Sequence, residues 1–237
     1  QLIVDESRPT TFKKRYIVEN QKLFRVSKLE EKSVAAHIEE LIIKKLDETL
    51  KTADALVISD FVYGVVTPTV LESAIKIAQK HNLPIIGDLQ CSSQVGSVAK
   101  FNSFSLICPN EREARLALQD KESSIEQLSQ KLICETSSKS LIMKLGSDGF
   151  IVYHRSQDNH IISQPFPALS TNPIDVSGAG DSLLSVMAIG LACGQKVMEC
   201  AALGCCMASR AVEIMGNIPV SSSDLTRIIQ EQFTESR

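Results

Sequence analysis

Several signals that mark other classes of protein are missing from this chain of 237 residues. Its net charge of −3 provides no basic excess for binding a polyanion, so we do not expect a nucleic-acid partner. The longest apolar run, Leu183–Cys193, is too short to span a bilayer, and no signal peptide is visible in the first residues. We therefore expect a soluble cytoplasmic protein without a membrane partner.

Disulfide and zinc signatures are missing as well. The seven cysteines are scattered and odd in number, and none forms a C-x-x-C pair, so we expect reduced thiols. Cys205 and Cys206 lie in an apolar stretch typical of a buried helix, where packing is the expected role of a thiol. The histidines are isolated from one another, and we interpret all of them as surface residues rather than ligands: His37, His81, His154 and His160.

What the chain does contain is an alternation of predicted strands and helices. Its 43% hydrophobic residues are enough for one large domain, with or without an appendage. Strands are predicted at 55–60, 83–87, 105–108, 140–145, 150–154 and 161–165. Helices are predicted at 33–50, from 67, at 111–119, 124–135, 179–193, 197–215 and after a cap at Ser222 or Ser223. This spacing predicts an α/β fold in which a mainly parallel sheet is covered by helices on both faces.

The N-terminal residues 10–27 have a different pattern. Aromatic or β-branched residues alternate with charged ones, and the polar triplet 19–21 interrupts them, which predicts a β-hairpin with one apolar face. Its basic residues Lys13, Lys14 and Arg15 have two interpretations. They form a solvated face, the more common role of such residues, or they contact a substrate phosphate.

The segment Asp175–Asp181, with the sequence DVSGAGD, precedes an apolar stretch typical of a buried helix. Backbone N–H groups at such a glycine-rich helix start favour an anion, and phosphate is the obvious one. A carboxylate there repels phosphate unless it accepts a proton from an attacking hydroxyl, so Asp181 suggests phosphoryl transfer. A purely structural turn is the alternative, because Gly-x-Gly before a helix is common.

This segment also resembles the C-terminal signature of the ribokinase-like (PfkB) sugar kinases, and Val176 is the residue usual in their heptose-phosphate kinase branch. The resemblance implies a ribokinase-like fold with a small β lid. It implies that Asp181 is the catalytic base, that the amides of Gly178, Ala179 and Gly180 form an anion hole, and that Asp175 and Ser177 lie near a monovalent-cation site for K⁺. ATP and Mg²⁺ are the implied cofactors. The implied acceptor is a sugar phosphate, nearest D-glycero-D-manno-heptose 7-phosphate, phosphorylated on its anomeric hydroxyl.

Two further segments match this family in the expected order. Asn110 and Glu113 stand three residues apart at a helix start; a capping box alone would account for them, but the resemblance implies that they support Mg²⁺ and the phosphates. Lys144, Gly146 and Gly149 follow a strand at a tight turn and are implied to line the nucleotide. Gly216, in the turn 216–219, is assigned to the same nucleotide site.

The first half of the chain matches the family less closely. Asp60 is implied to bind the substrate, but Val62 and Tyr63 stand where the family motif has glycine and lysine. Likewise Asp88 matches, whereas Leu89 and Gln90 replace Pro-Lys. Residues 1–28 resemble part of a β lid over the sugar site, which implies Lys14 and Arg15 as substrate residues and a homodimer through the lid. Residues 29–237 are then the nucleotide- and substrate-binding core.

The resemblance begins well inside the family pattern. The opening strand with its sugar-binding aspartate and the Gly-Gly-x-x-Asn segment are not found, so we expect a truncated sequence or a chain that dimerises to cover an exposed sheet edge and apolar face. Two alternatives to a heptose-phosphate kinase stay open. One is a ribokinase-like kinase of another sugar, and the other is a catalytically weak nucleotide-binding or regulatory protein.

Overall fold

Strands and helices alternate along most of the chain. The computed structural model describes residues 2–18, 21–91, 96–170, 172–216 and 218–234. The strands are β1 (Phe12–Val18), β2 (Gln21–Lys28), β3 (Leu56–Asp60), β4 (Ile85–Leu89), β5 (Leu106–Ile107), β6 (Ser140–Lys144), β7 (Phe150–Arg155) and β8 (Ile161–Phe166). The helices are α1 (Ala36–Thr49), α2 (Pro68–Lys80), α3 (Glu111–Leu118), α4 (Ile125–Thr136), α5 (Ala179–Ala192), α6 (Val197–Val212) and α7 (Ser222–Thr234).

Side-chain caps fix the start of several helices. The hydroxyl of Thr67 accepts a hydrogen bond from the backbone N–H of Val70 at 3.2 Å, with Pro68 in the first turn of α2 as predicted. At the start of α7, however, it is Ser221 that accepts from the Asp224 N–H at 3.1 Å, so the cap predicted at the next two serines is wrong by one or two positions. Helix α6 also ends three residues before its predicted end, at Val212.

The main sheet is mainly parallel, as predicted. Its order is β3-β4-β5-β6-β7-β8, with parallel pairing from β3 to β6 and antiparallel pairing of β7 and β8 at one edge. Because β3, β4, β5 and β6 run parallel, their carboxyl ends lie along the same side of the sheet, and this is where open α/β sheets bind their ligands.

Helices pack on both faces of this sheet, which confirms the predicted layers. On one face, apolar side chains of α2, α3 and α4 pack with Leu56, Ile58 and Leu141. On the other face, α5 and α6 pack with Ile86 and Ile142. The sheet core is therefore closed on both sides from β4 to β6.

Strand β3 is the exception. Leu56 and Ile58 are buried under the first helical layer, but Val57 points to the opposite face and is 42% exposed. Strand β3 is the edge of the sheet within the described residues, and Ala55, directly before it, packs with α5 and α6 whereas Val57 does not. The predicted uncovered edge is present there, and Val57 is an exposed apolar side chain on its open face.

The predicted hairpin, β1 and β2, forms a separate two-stranded sheet. Arg15 pairs with Arg25 and Tyr16 with Phe24 across the strands, so these two pairs point to opposite faces. The predicted turn at residues 19–21 lies mostly outside the described residues. The arginine face turns toward the main sheet, and the other face carries exposed apolar side chains: Phe12, Tyr16, Val18, Phe24 and Val26.

All cysteines are free thiols, and Cys205 and Cys206 are buried in α6 as predicted. His154 and His81 are half-buried, against the prediction; the ring of His154 lies 2.9 Å from the Ser140 hydroxyl across the sheet. Among the helices of the described residues, none is both long enough and apolar enough to cross a bilayer.

Candidate active site

A cleft of about 420 Å³ opens at the carboxyl ends of β4 and β6. This volume lies within the range of about 300–1,000 Å³ that is typical of small-molecule sites. The lining comes from the strand ends, from the start of α5 and from the hairpin. It brings together eight of the site residues predicted from the sequence: Arg15, Asn110, Glu113, Lys144, Ser177, Gly178, Gly180 and Asp181.

The start of α5 presents Asp181 to the cleft. Gly178 precedes the helix with φ +86°, a left-handed conformation that favours glycine, and Ala179 follows it as the first helical residue. The first backbone N–H groups of a helix have no acceptor within it and favour an anion. The side chain of Asp181 lies in the first turn and points into the cleft, which is the placement that proton abstraction requires.

Asp181 belongs to a chain of polar contacts that crosses the cleft floor. The Lys144 ammonium donates to Asp88 Oδ1 at 2.7 Å, and the Gln90 amide Nε2 donates to Asp88 Oδ2 at 3.1 Å. The same Nε2 donates to Asp181 Oδ1 at 2.8 Å. Burial is the largest single effect on the pKa of Lys144 and would lower it, but the charge of Asp88, the hydrogen bond to it and the other acidic groups nearby together outweigh burial, so the pKa is raised and the ammonium stays charged.

Asn110 and Glu113 form the predicted capping box at the start of α3. The Asn110 side chain accepts from the Glu113 N–H at 2.9 Å, and Glu113 Oε2 accepts from the Asn110 N–H at 2.9 Å. Glu113 Oε1 accepts from the Cys91 N–H at 3.3 Å, which ties the loop after β4 to this helix. Burial raises the pKa of Glu113, and the charge of Lys144 offsets it only in part.

Asp175 connects two loops behind the cleft. It is buried, and its carboxylate accepts from the backbone N–H of Ser177 at 2.8 Å and from that of Gly216 at 3.2 Å. The N–H groups of Ile174 and Asp175 both donate to the Val212 carbonyl, at 2.7 and 3.0 Å. Ser177 lines the cleft, but Asp175 and Gly216 lie outside its lining. Their cation- and nucleotide-binding roles stay predictions.

The glycine turn after β6 also lies outside the cleft lining. Gly146 begins a short 3-10 turn, and Gly149 ends it with φ +88°. A Cβ on Gly149 would lie 2.1 Å from the Phe166 carbonyl oxygen, so close strand packing is a structural reason for glycine at this position. A role of both glycines at the nucleotide stays a prediction.

The hairpin forms the opposite wall of the cleft and is basic there. Lys13, Arg15 and Arg25 line it. The Lys13 ammonium lies 5.1 Å from the ring centre of Phe61 and 5.0 Å from that of Tyr63, within cation–π range. These contacts hold a cationic group at the cleft.

Arg8, just before the hairpin, connects it to the loop after β3 and to the segment after β2. Its guanidinium donates to the carbonyl of Tyr63 at 2.6 Å and to that of Lys32 at 2.9 Å. Lys14, which we predicted together with Arg15, points to the other face, where its ammonium lies 4.9 Å from the Tyr16 ring centre. Alternation along a strand separates the two neighbours, so Lys13 stands at the cleft and Lys14 does not.

Asp60, the other predicted substrate residue, is 3% exposed and outside the cleft lining. Its carboxylate forms an ion pair with Lys100 and accepts from the Val62 N–H at 2.9 Å. These bonds satisfy the buried charge and shape the loop after β3, where Val62 has φ +61°. The structure therefore gives Asp60 a role in the loop, and its contact with substrate stays a prediction.

Three residues of the lining were not predicted as site residues, Arg25, Phe61 and Gln90, and Lys13 was considered only as one of the basic hairpin residues whose role was left open. For Lys13 the signal was available, because it is two residues from Arg15 and shares its side of the strand. For Gln90 the only signal was its place directly after a buried strand, beside Asp88.

The donor set of the cleft suits Mg²⁺ in one specific way. Within the described part of the chain, no three His, Cys, Asp or Glu side chains are grouped as a metal site. Both carboxylate oxygens of Glu113 already accept backbone N–H bonds. Such a site fits Mg²⁺ that is held by nucleotide phosphates and water with one or two carboxylates near it, which is its usual mode beside phosphates.

Known proteins with a similar sequence match almost the whole chain. A sequence model described as "pfkB family carbohydrate kinase" matches residues 1–223. The Bifunctional protein HldE of Geobacter metallireducens is 27% identical over 236 residues, covering 98% of this chain and 46% of that protein. The protein of the same name from Campylobacter jejuni subsp. jejuni serotype O:6 is 30% identical, covering 98% and 49%. The chain thus spans about half the length of the curated relatives it matches.

Solved structures show the same fold at lower identity. The ribokinase of Thermotoga maritima superposes with a TM-score of 0.69 at 20% identity, covering 94% of this chain and 70% of that one. Phosphofructokinase-2 of Escherichia coli, in complex with substrates and products, gives a TM-score of 0.66 at 20% identity, covering 79% and 61%. At these identities the likeness supports the fold and leaves the substrate open.

Proposed function

This chain belongs to the pfkB family of carbohydrate kinases, and we propose that it transfers the γ-phosphoryl group of ATP to a hydroxyl of a sugar phosphate. The observation that carries this proposal is the placement of Asp181. Its carboxylate lies at the N-terminus of α5 in a cleft whose opposite wall carries three basic side chains. A proton acceptor, an anion-binding helix start and cations for a charged acceptor are the groups that the reaction needs.

In the proposed reaction, the acceptor hydroxyl lies beside Asp181. Asp181 accepts the hydroxyl proton as the oxygen attacks the γ-phosphorus, and the bond from that phosphorus to the β,γ-bridging oxygen breaks to release ADP. The backbone N–H groups of Gly178, Ala179 and Gly180 stabilise the negative charge on the transferring group. Mg²⁺, with Glu113 and Asn110 near it, would neutralise the nucleotide phosphates when bound. Lys144 adds a fixed positive charge beside the same floor.

We propose a phosphorylated acceptor because of the hairpin. Lys13, Arg15 and Arg25 place three cationic groups at one wall, and guanidinium groups bind phosphate by paired hydrogen bonds. A neutral sugar would bring no negative charge to these cationic groups. Together with the HldE relatives, this favours D-glycero-D-manno-heptose 7-phosphate, with the anomeric hydroxyl as the acceptor.

We also propose that residues 1–28 act as a lid that dimerises. The outer face of the hairpin exposes Tyr16 and Phe24, whose rings stack at 4.5 Å, together with Phe12, Val18 and Val26. A two-stranded hairpin is marginally stable alone, and an apolar face of this kind is typical of an interaction site. A second copy of the hairpin would cover it. As part of the proposed kinase function, we also propose that K⁺ binds near Asp175 and Ser177.

The test is a phosphotransfer assay with purified full-length protein, ATP and Mg²⁺. The acceptors are D-glycero-D-manno-heptose 7-phosphate, fructose 6-phosphate, ribose and fructose, each at the same concentration. We expect ADP formation that depends on acceptor, with the heptose phosphate used best and the neutral sugars poorly. Transfer to ribose in preference to both phosphates would contradict the acceptor class. ATP binding with no transfer to any acceptor would instead favour the nucleotide-binding regulatory protein.

A further inference from the structure

Gln90 is hydrogen bonded to two carboxylates of the cleft, those of Asp88 and Asp181. It follows β4 directly and lies 91 positions from Asp181 in sequence, yet its Nε2 donates to Asp181 Oδ1 at 2.8 Å. The second hydrogen of the same amide group reaches Asp88 Oδ2, with a separation of 3.1 Å. Within the described residues, no other side chain donates to the carboxylate of Asp181.

The orientation of the Gln90 amide follows from its surroundings. Both neighbours are carboxylates, which accept hydrogen bonds, so the NH₂ group must face them and the carbonyl oxygen must point away. Asp88 is in turn fixed by Lys144, whose ammonium lies 2.7 Å from Asp88 Oδ1. The amide bridge is therefore anchored on an ion pair of the sheet, and Asp181 is the group that it restrains.

We propose that Gln90 is a positioning residue for Asp181: it holds one carboxylate oxygen and leaves the other directed to the acceptor hydroxyl. This inference rests on the proposed kinase function. Asp181 stands on the first turn of α5, where its side chain can rotate between staggered conformers. A shift of about 1 Å in a reacting group can reduce turnover by about 100-fold. The amide group of Gln90 also donates one hydrogen bond to each of the two carboxylates, Asp88 and Asp181. These hydrogen bonds offset the repulsion between two negative charges.

The test compares Gln90→Leu with the matched variant Gln130→Leu. Gln130 also donates to a carboxylate, that of Glu126 at 2.8 Å, but it lies on the exposed face of α4. We expect Gln90→Leu to lower kcat by about 10- to 100-fold and to change the KM for ATP and for the acceptor by less than about threefold. Gln130→Leu should leave both parameters at the wild-type values. A raised acceptor KM at normal kcat would overturn the positioning role.

A double-mutant cycle separates positioning from a general structural effect. If Gln90 acts through Asp181, adding Gln90→Leu to Asp181→Asn should lower the residual kcat by less than about threefold, because the catalytic carboxylate is already gone. A structural effect would multiply with the loss from Asp181→Asn, and this result would overturn the proposal. Gln90→Glu keeps the shape and replaces the donor with an acceptor, so it should lose at least as much kcat as the leucine variant and serves if that variant does not fold.

The bridge itself is measured without turnover. Urea unfolding gives the factor by which each variant changes the unfolding equilibrium constant. For the double variant, Gln90→Leu with Asp181→Ala, we expect a factor that is about three- to tenfold smaller than the product of the two single-variant factors. Independent effects would overturn the bridge. If the wild type binds ATP but phosphorylates no acceptor, the kinase proposal fails and the positioning role fails with it. If the wild type is active and the two substitutions are uncoupled in both assays, only the inference about Gln90 fails.

Discussion

The two walls of the cleft are built differently. The core wall, called the cleft floor above, consists of side chains that are hydrogen bonded to one another: Asp88, Gln90, Lys144 and Asp181. The hairpin wall carries Lys13, Arg15 and Arg25 on a separate two-stranded sheet. On the core side, Asp88 is almost fully buried and is bound by Lys144 and Gln90. On the hairpin side, Arg15 and Arg25 project from paired strands whose other face is exposed and apolar. In the proposed function, chemistry and acceptor recognition therefore belong to two walls that are built differently.

This division has a physical reason. Proton abstraction requires a carboxylate within hydrogen-bond distance of the hydroxyl, and the start of a packed helix such as α5 holds such a group more precisely than a loop. Recognition of a phosphate by several cations tolerates more movement, because long basic side chains can adjust. The contacts of Arg8 and Lys13 with Tyr63, in the loop after β3, connect the hairpin wall to the core wall.

Removing the base of the core wall should have the largest effect. We expect Asp181→Asn to lower kcat by about 10³-fold or more, because the amide keeps the shape but cannot accept the proton. The affinity for ATP and the unfolding midpoint should stay close to wild type. Steady-state kinetics with the best acceptor, beside ATP titration, measures both. Asp158→Asn, in the exposed turn between β7 and β8, is the control, and equal losses in the two variants would remove the assigned role.

Breaking the ion pair of the core wall should chiefly affect stability. Lys144→Met leaves the Asp88 charge buried without its cation, which we expect to lower the free energy of unfolding by about 3 kcal/mol. The raised pKa of Lys144 determines how this stabilisation depends on pH. Charged Lys144 contributes fully to stability below its ordinary pKa of 10.5, and this contribution is lost as the pH rises through the higher pKa of the folded state. The difference in stability between wild type and variant should therefore shrink above about pH 10.5.

Urea unfolding at pH 7 and at increasing alkaline pH measures this difference. Lys121→Met, at an exposed position before α4, is the control and should change the free energy of unfolding by less than about 0.5 kcal/mol. A Lys144→Met variant as stable as this control at pH 7 would show that the core wall does not depend on the ion pair.

Changes in the hairpin wall should alter acceptor affinity instead. We expect Arg15→Ala or Arg25→Ala to raise the KM for a phosphorylated acceptor by about 10- to 100-fold, since each removes charge-assisted hydrogen bonds of about 1.5–3 kcal/mol. The kcat should change little, because the core wall is intact. Lys14→Ala is the matched control, as Lys14 is basic, on the same strand and on the other face. Equal effects at Lys14 and Arg15 would show that only the net charge of the hairpin matters.

Much of the core wall was predictable from the sequence because its signals are local. The capping pair Asn110 and Glu113, the glycines around Ala179 and the buried strands each depend on residues within a few positions of one another. The alternation of strands and helices then determined which loops meet at one edge of the sheet. The predicted placement of Asp181 in a cleft follows from these two facts.

The interactions that were not predicted are the long-range ones. Gln90 and Asp181 are 91 positions apart, and Arg8 and Tyr63 are 55 apart, so no local pattern links them. Lys13 is a different case, because strand alternation already pairs it with Arg15, and the prediction of Lys14 followed the resemblance instead of the alternation. The position of the hairpin at the cleft depends on such contacts; the alternation of its residues predicts only a hairpin, and its place over the site was implied by the family resemblance alone.

The outer face of the hairpin should give the smallest effect. Phe24→Ser removes one of two stacked rings from a face that we propose to be covered by a second copy, and we expect the dimer dissociation constant to rise about fivefold, or about 1 kcal/mol. The unfolding of the main sheet should not change, because Phe24 packs outside both core clusters. Sedimentation equilibrium measures the dissociation constant, with Leu41→Ser on the exposed side of α1 as control. If Phe24→Ser lowers core stability and leaves association unchanged, the hairpin is part of the core and the contrast between the two walls is wrong.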